Sequence, residues 1–142
     1  MNEEELRQSM STLEYYRAQL ESMEERERVL QMTYEENKRA RQTIKNIGES
    51  SEGDELLVPI GGDSFAFARV AANDKVLVGL GSGVTAEKSV EDALSTLDSR
   101  MEELSQNLQE VQGKRQEVQQ TYQELSQQVQ QAYQQLQQGQ QG

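Results

Sequence analysis

From Val90 to the C-terminus, apolar side chains recur at alternating intervals of four and three residues. The a positions are Val90, Leu97, Leu104, Val111, Val118, Leu125 and Ala132. The d positions are Leu94, Met101, Leu108, Arg115, Tyr122, Val129 and Leu136. Thirteen of these fourteen are apolar; only Arg115 interrupts the run. Glu, Gln, Ser, Lys and Asp fill most of the positions between. A strict 3.5-residue repeat held over seven heptads predicts a coiled-coil seam, not the broader face of a globular helix.

The first segment carries a weaker copy of the pattern. Its a positions are Leu6, Leu13, Leu20, Glu27, Tyr34 and Arg41, and its d positions are Ser9, Tyr16, Met23, Leu30, Asn37 and Ile44. Eight of those twelve are apolar. Asn2 followed by Glu5 predicts a capping box, and Gly48 is expected to supply a left-handed stop. Ser89 with Asp92 predicts the cap of the second helix. At about 1.5 Å per residue the two helices would be rods of roughly 65 and 73 Å. Near-equal lengths predict an antiparallel hairpin. The register follows from the two polar intrusions: opposing Glu27 to Arg115 also opposes Leu6 to Leu136, Leu13 to Val129 and Leu20 to Tyr122. An ion pair inside a seam discourages slipped registers.

Composition supports an elongated form. Only 34% of the 142 residues are hydrophobic and 5% aromatic, too little for a compact core of ordinary size. The expected organisation is therefore an N-terminal coiled-coil helix over 1–48, an acidic linker with strands over 49–88, and a C-terminal coiled-coil helix over 89–142.

The centre reads differently. After the polar ESSEGDE come LLVPI, GGD, SFAFARV, AAND, KVLVGL, GSG and VTAEKS. Four β-prone runs separated by turn residues predict two β-hairpins. Phe65, Phe67 and Arg69 alternate with small residues, and Val76, Val78 and Leu80 are expected to share one face. Two hairpins cannot bury both of their faces alone. Leu57, Val58, Ile60, Phe65, Phe67, Val76, Val78 and Leu80 are therefore expected to meet a partner, which makes this segment an oligomerisation module.

Several chemistries fall away. With no Cys and no His, thiol nucleophiles, imidazole bases and zinc sites are absent. GLGSG lacks the third glycine of a dinucleotide loop and does not open directly into a helix, and no Gly-Lys-Ser/Thr exists. A tight turn is the simpler reading, with Gly79 permitting close approach of another backbone. The acidic residues fall mostly on solvated helix positions, so no catalytic residues, metal or cofactor are expected. A net charge of −11 disfavours nucleic acid as a partner. No apolar run is long enough to cross a membrane. MNEEEL has neither the basic nor the apolar region of a signal peptide, so the expected location is the cytoplasm.

One surface remains. In the proposed register both termini meet at the end of the rod away from the strands. Leu6, Met10, Leu13, Val129, Ala132, Tyr133 and Leu136 are expected to cluster there, partly exposed, beside a tail in which seventeen of the last 37 residues are Gln. Exposed apolar clusters mark interaction sites, and Met adapts to varied partners. The plainer reading is that these side chains only zip the end shut.

Helix, two β-hairpins, helix in this length resembles the archaeal-type alpha subunit of prefoldin. LLVPIGGDSFAFARV and NDKVLVGLGSGVTAEKSVEDAL carry the likeness. The resemblance implies a mainly α fold whose hairpins assemble into an intersubunit β-barrel. It implies a hexamer of two alpha and four beta subunits. It also implies an ATP-independent chaperone that grips unfolded or nascent clients at coiled-coil tips and delivers them to a group II chaperonin. The alternative is a structural coiled-coil tether or adaptor that holds no client.

Overall fold

The structure, a computed structural model, describes residues 1–141. Helix α1 spans Glu3–Glu49 and helix α2 spans Val90–Gln141. Between them lie strands β1 (Glu55–Gly61), β2 (Ser64–Arg69), β3 (Lys75–Gly81) and β4 (Val84–Ser89). Every a and d position assigned above is buried or half-buried, including the polar Ser9, Glu27, Asn37, Arg41 and Arg115. The narrow seam is thus the helical core, and the fold is mainly α.

Local chemistry sets the helix ends. The Asn2 carboxamide oxygen accepts the Glu5 N–H at 2.8 Å, and the Asn2 N–H donates to the Glu5 carboxylate at 3.4 Å. This reciprocal box satisfies two orphan donors of α1. At α2, the Ser89 hydroxyl accepts the Asp92 N–H at 3.1 Å. Gly48 is not the predicted left-handed stop. It lies inside α1 and is absent from the residues with positive φ. Its lack of a side chain serves packing: a Cβ there would come within 2.8 Å of Val90 Cγ1. The turn past α1 is closed by Ser50, whose N–H and hydroxyl both donate to the Ile47 carbonyl, at 3.1 and 2.6 Å.

The chain divides into two units. One comprises Met1–Met32 with the chain from Ser105 onward. Its buried residues are Leu6, Val111 and Ala132. Here the antiparallel register is visible directly: Arg115 Nε donates to Glu27 Oε1 at 2.9 Å. Both side chains are largely removed from solvent.

The other unit comprises Thr33–Leu104 and holds both hairpins. Val70, Val78, Ala93 and Leu97 form its buried core. Arg41 on α1 pairs with Asp98 on α2. The Asp98 carboxylate, through its hydrogen bond and then its charge, raises the Arg41 pKa further above the usual arginine range.

The hairpins are two copies of one design, offset by twenty residues. Asp54, Leu57, Val58, Gly61, Ala66 and Val70 recur as Asp74, Leu77, Val78, Gly81, Ala86 and Val90. The strands pair antiparallel, Leu57 with Phe67 and Leu77 with Glu87. Both ladders slip at the same place, between Pro59 and Gly61 and between Gly79 and Gly81. Both turns then use two residues of positive φ, Gly62–Asp63 and Ser82–Gly83. That geometry matches the twist of the flanking strands. Val70 N–H closes the first hairpin on Asp54 O at 2.9 Å, and Val90 N–H closes the second on Asp74 O at 3.0 Å.

The bulges correct one expectation. Val78 is 6% exposed while Leu80 is 54% exposed, so they do not share a face. An extra residue in a strand reverses the alternation beyond it. Ile60 is turned out by the equivalent bulge.

Candidate functional site

In the unit that contains both chain ends, the seven expected tip residues divide into three groups. Leu6 and Ala132 are buried. Leu13, Val129 and Leu136 are half-buried. Only Met10 and Tyr133 stand out, at 54% and 55% exposure. The heptad seam explains the difference. Leu6 and Ala132 are a positions that close the helix pair, whereas Met10 and Tyr133 each follow a seam residue and project from the edge of the seam. Four exposed side chains escaped the sequence reading: Met1, Tyr15, Val29 and Met32. Tyr15 lies beside Tyr16, with ring centroids 6.0 Å apart, and accepts a hydrogen bond from the Gln19 carboxamide at 3.0 Å. The signal that could have found Tyr15 is its own position outside the seam, where an aromatic ring stands among mostly polar side chains.

The large apolar side chains exposed in this unit are the thioethers of Met1, Met10 and Met32, the phenols of Tyr15 and Tyr133, and Val29. None is a nucleophile paired with a base. Among the described residues no group of three or more Asp and Glu could hold a metal ion.

In the other unit the expected assembly residues also divide. Val78 is buried and Val76 half-buried within this unit. The odd-numbered face of the first hairpin is different. Phe67 is 79% exposed, Phe65 58% and Leu57 56%, and Leu57 sits directly opposite Phe67. Val58, Ile60 and Leu80 are exposed as well. The equivalent face of the second hairpin carries Lys75, Leu77, Gly79, Thr85, Glu87 and Ser89, polar apart from Leu77 and Gly79. Lys75 and Glu87 form a 3.6 Å ion pair on it. The twin hairpins thus present one apolar and one polar face. GLGSG is the bulge and turn of the second hairpin. It is followed by strand β4 and not by a helix, so it has no helix N-terminus with which to cradle a phosphate. The close backbone approach expected at Gly79 is not found: among the described residues nothing lies within 4 Å of where its Cβ would stand, and it is its carbonyl that is engaged, accepting from Arg100 Nη2 at 2.6 Å.

Comparison with known proteins places these features. The family model for a prefoldin subunit matches residues 16–135. Prefoldin subunit alpha of Methanothrix thermoacetophila is 38% identical over 98 residues, covering 69% of this chain and 64% of that protein. A filamentous PFD from Methanocaldococcus jannaschii, solved by cryo-electron microscopy, superposes with a TM-score of 0.69 at 24% identity, over 81% of this chain and 95% of that one. The crystal structure of the prefoldin beta subunit from Thermococcus strain KS-1 gives 0.60 at 16% identity, over 90% of this chain and 91% of that one.

Proposed function

We propose that this chain, which belongs to the prefoldin family as an archaeal-type alpha subunit, holds unfolded or nascent polypeptides without ATP and passes them to a group II chaperonin in the cytoplasm. The observation that carries the reading is the set of exposed Met1, Met10, Tyr15 and Tyr133 side chains in the unit that contains both chain ends. Covering one half-exposed side chain of this size is worth roughly 1 kcal/mol. That is too weak for one arm to retain a client and enough when several arms act on the same chain. Partners are therefore part of the mechanism. The apolar face of Leu57, Phe65 and Phe67 supports assembly through the hairpins with beta-type subunits, in a hexamer of two alpha and four beta chains closed by β-barrels.

Removing residues 2–13 and 129–142, and separately replacing Met10→Ser with Tyr133→Ser, tests the proposal. Both variants should keep the native mass of the complex and lose suppression of aggregation of a chemically unfolded client. The second reading, a coiled-coil tether, is favoured by the burial of Leu6 and Ala132, which zip the helix pair. A tether would leave the aggregation assay indifferent to both variants.

A further inference from the structure

Helix α1 carries a second repeat, displaced by two residues from the seam. Tyr15, Ala18, Ser22, Glu25, Val29 and Met32 follow one another at alternating intervals of three and four, and all six are exposed. Two residues of α-helix turn through about 200°, so this stripe lies opposite the seam. It falls wholly within the unit that contains both chain ends. Beyond Met32 the same spacing meets Glu36, Arg39, Thr43 and Asn46, and the apolar character ends. Helix α2 has no counterpart. At the same displacement from its seam stand Glu110, Gly113, Glu117, Gln120, Glu124 and Gln127.

The polar members of the stripe do not spoil it. The Glu25 carboxylate is held by Arg28 at 2.7 Å. The Tyr15 hydroxyl accepts from Gln19, while its ring stays 61% exposed. Ala18 and Ser22 are small and let a neighbouring backbone come close between Tyr15 and Met32, which is 65% exposed. Glu14 and Glu21 lie four residues before Ala18 and three after it, so they border the stripe. Neither has an ion-pair partner among the described residues. Over residues 1–32 eight Glu face four Arg, a net charge of −4.

Area and charge select what covers this face. Tyr15, Val29 and Met32 together expose roughly 300 Å², less than half of the about 800 Å² per partner in a stable interface. A permanent subunit is therefore a poor fit. A second copy of this chain would bring −11 against −11, with its own Glu14 and Glu21. A helix with apolar residues at intervals of three and four matches the repeat, and Lys or Arg beside them meets Glu14 and Glu21.

We propose that the outer stripe of α1, from Tyr15 to Met32, holds cationic amphipathic helices that form transiently in unfolded clients. This rests on the client-holding reading above and adds to it the chemical class of segment that is held. The small area suits a surface that must also release what it binds.

Fluorescence anisotropy on the full chain tests this with two synthetic helices, both with Leu at intervals of three and four and with either Lys or Glu beside them. The Lys peptide should bind at least about tenfold more tightly at roughly 20 mM NaCl, and the ratio should fall at roughly 500 mM. Tyr15→Ser with Val29→Ser and Met32→Ser should weaken the Lys peptide at least about tenfold, with the helical circular dichroism unchanged. Glu14→Gln with Glu21→Gln should weaken it about threefold at low salt only. Equal binding of the two peptides overturns the charge selection. Lys-peptide binding indifferent to the triple-serine variant overturns the stripe. If that variant also suppresses client aggregation fully while Met10→Ser with Tyr133→Ser does not, the stripe fails and the client-holding reading stands. A complex with the unmodified chain that suppresses no aggregation overturns both. Self-association of the peptide-free chain that the triple-serine variant abolishes replaces the client helix by a second copy.

Discussion

One ion pair and one glycine show how polar and absent side chains specify this fold. Glu27 and Arg115 lie in a seam of apolar residues, bonded at 2.9 Å and mostly shielded from water. Replacing Glu27→Ala strands a half-buried guanidinium. That should lower stability by roughly 1–3 kcal/mol, read as a fall in the urea midpoint. Joint replacement Glu27→Leu with Arg115→Leu should recover or exceed the original midpoint, because well-packed apolar pairs match buried ion pairs. The cost would appear in register. With Leu20→Cys and Tyr122→Cys added, the native pair should oxidise to one cross-linked species, and the double-leucine seam to a slower mixture. Gly48 argues the complementary case. Gly48→Ala gains about 1 kcal/mol of helix propensity, yet its methyl meets Val90 at 2.8 Å. Val is stiff and branched, so overpacking at about 1–3 kcal/mol should win. Adding Val90→Ala should remove most of the difference between Gly and Ala at this position, measured as a double-mutant cycle.

Among the elements, the hairpins depend on their bulge and turn more than on their strand residues. Gly81 has φ of 100°, and nothing else stands within 4 Å of where its Cβ would be. Gly81→Ala should therefore cost about 1–3 kcal/mol from backbone strain alone. Gly79→Ala, two residues away at ordinary φ, should change stability by less than about 0.5 kcal/mol. Thermal unfolding of the two variants separates them. The same contrast explains what was legible beforehand. Heptads are local and periodic, so both helices, the seam and the Glu27–Arg115 opposition could be read from residue spacing. Turn residues placed GGD and GSG correctly between the strands. The bulges could not be read, because Ile60 and Leu80 look like ordinary strand residues until the ladder slips under them. The end of α1 was misjudged for a related reason: Gly48 fits a left-handed stop and a close contact equally well, and only Val90, 42 residues later, decides between them. Of the candidate surfaces, the exposed Phe65, Phe67, Met10 and Tyr133 were foreseen. The burial of Leu6, Ala132 and Val78 depends on partners that composition does not reveal.

The whole molecule carries a formal charge of −11 on 142 residues, without a cluster suited to a metal among those described. Two electrostatic effects then oppose each other as salt is added. Ion pairs such as Arg28–Glu25 and Lys75–Glu87 are exposed, and each contributes at most about 1 kcal/mol before screening. Loss of them would lower stability. Repulsion among the excess carboxylates acts over the whole chain and is screened by the same ions, which raises stability. The carboxylates outnumber the cations by 25 to 14, so relief of repulsion should dominate. Raising NaCl from roughly 20 mM to 500 mM, which shortens the Debye length from about 20 Å to about 4 Å, should increase the melting temperature by several degrees. A fall would mean that the exposed pairs outweigh the net charge. The seam pair separates the two contributions further. Because Glu27 and Arg115 are shielded, the destabilisation caused by Glu27→Ala should persist at 500 mM NaCl, where an exposed pair such as Arg28–Glu25 contributes nothing measurable.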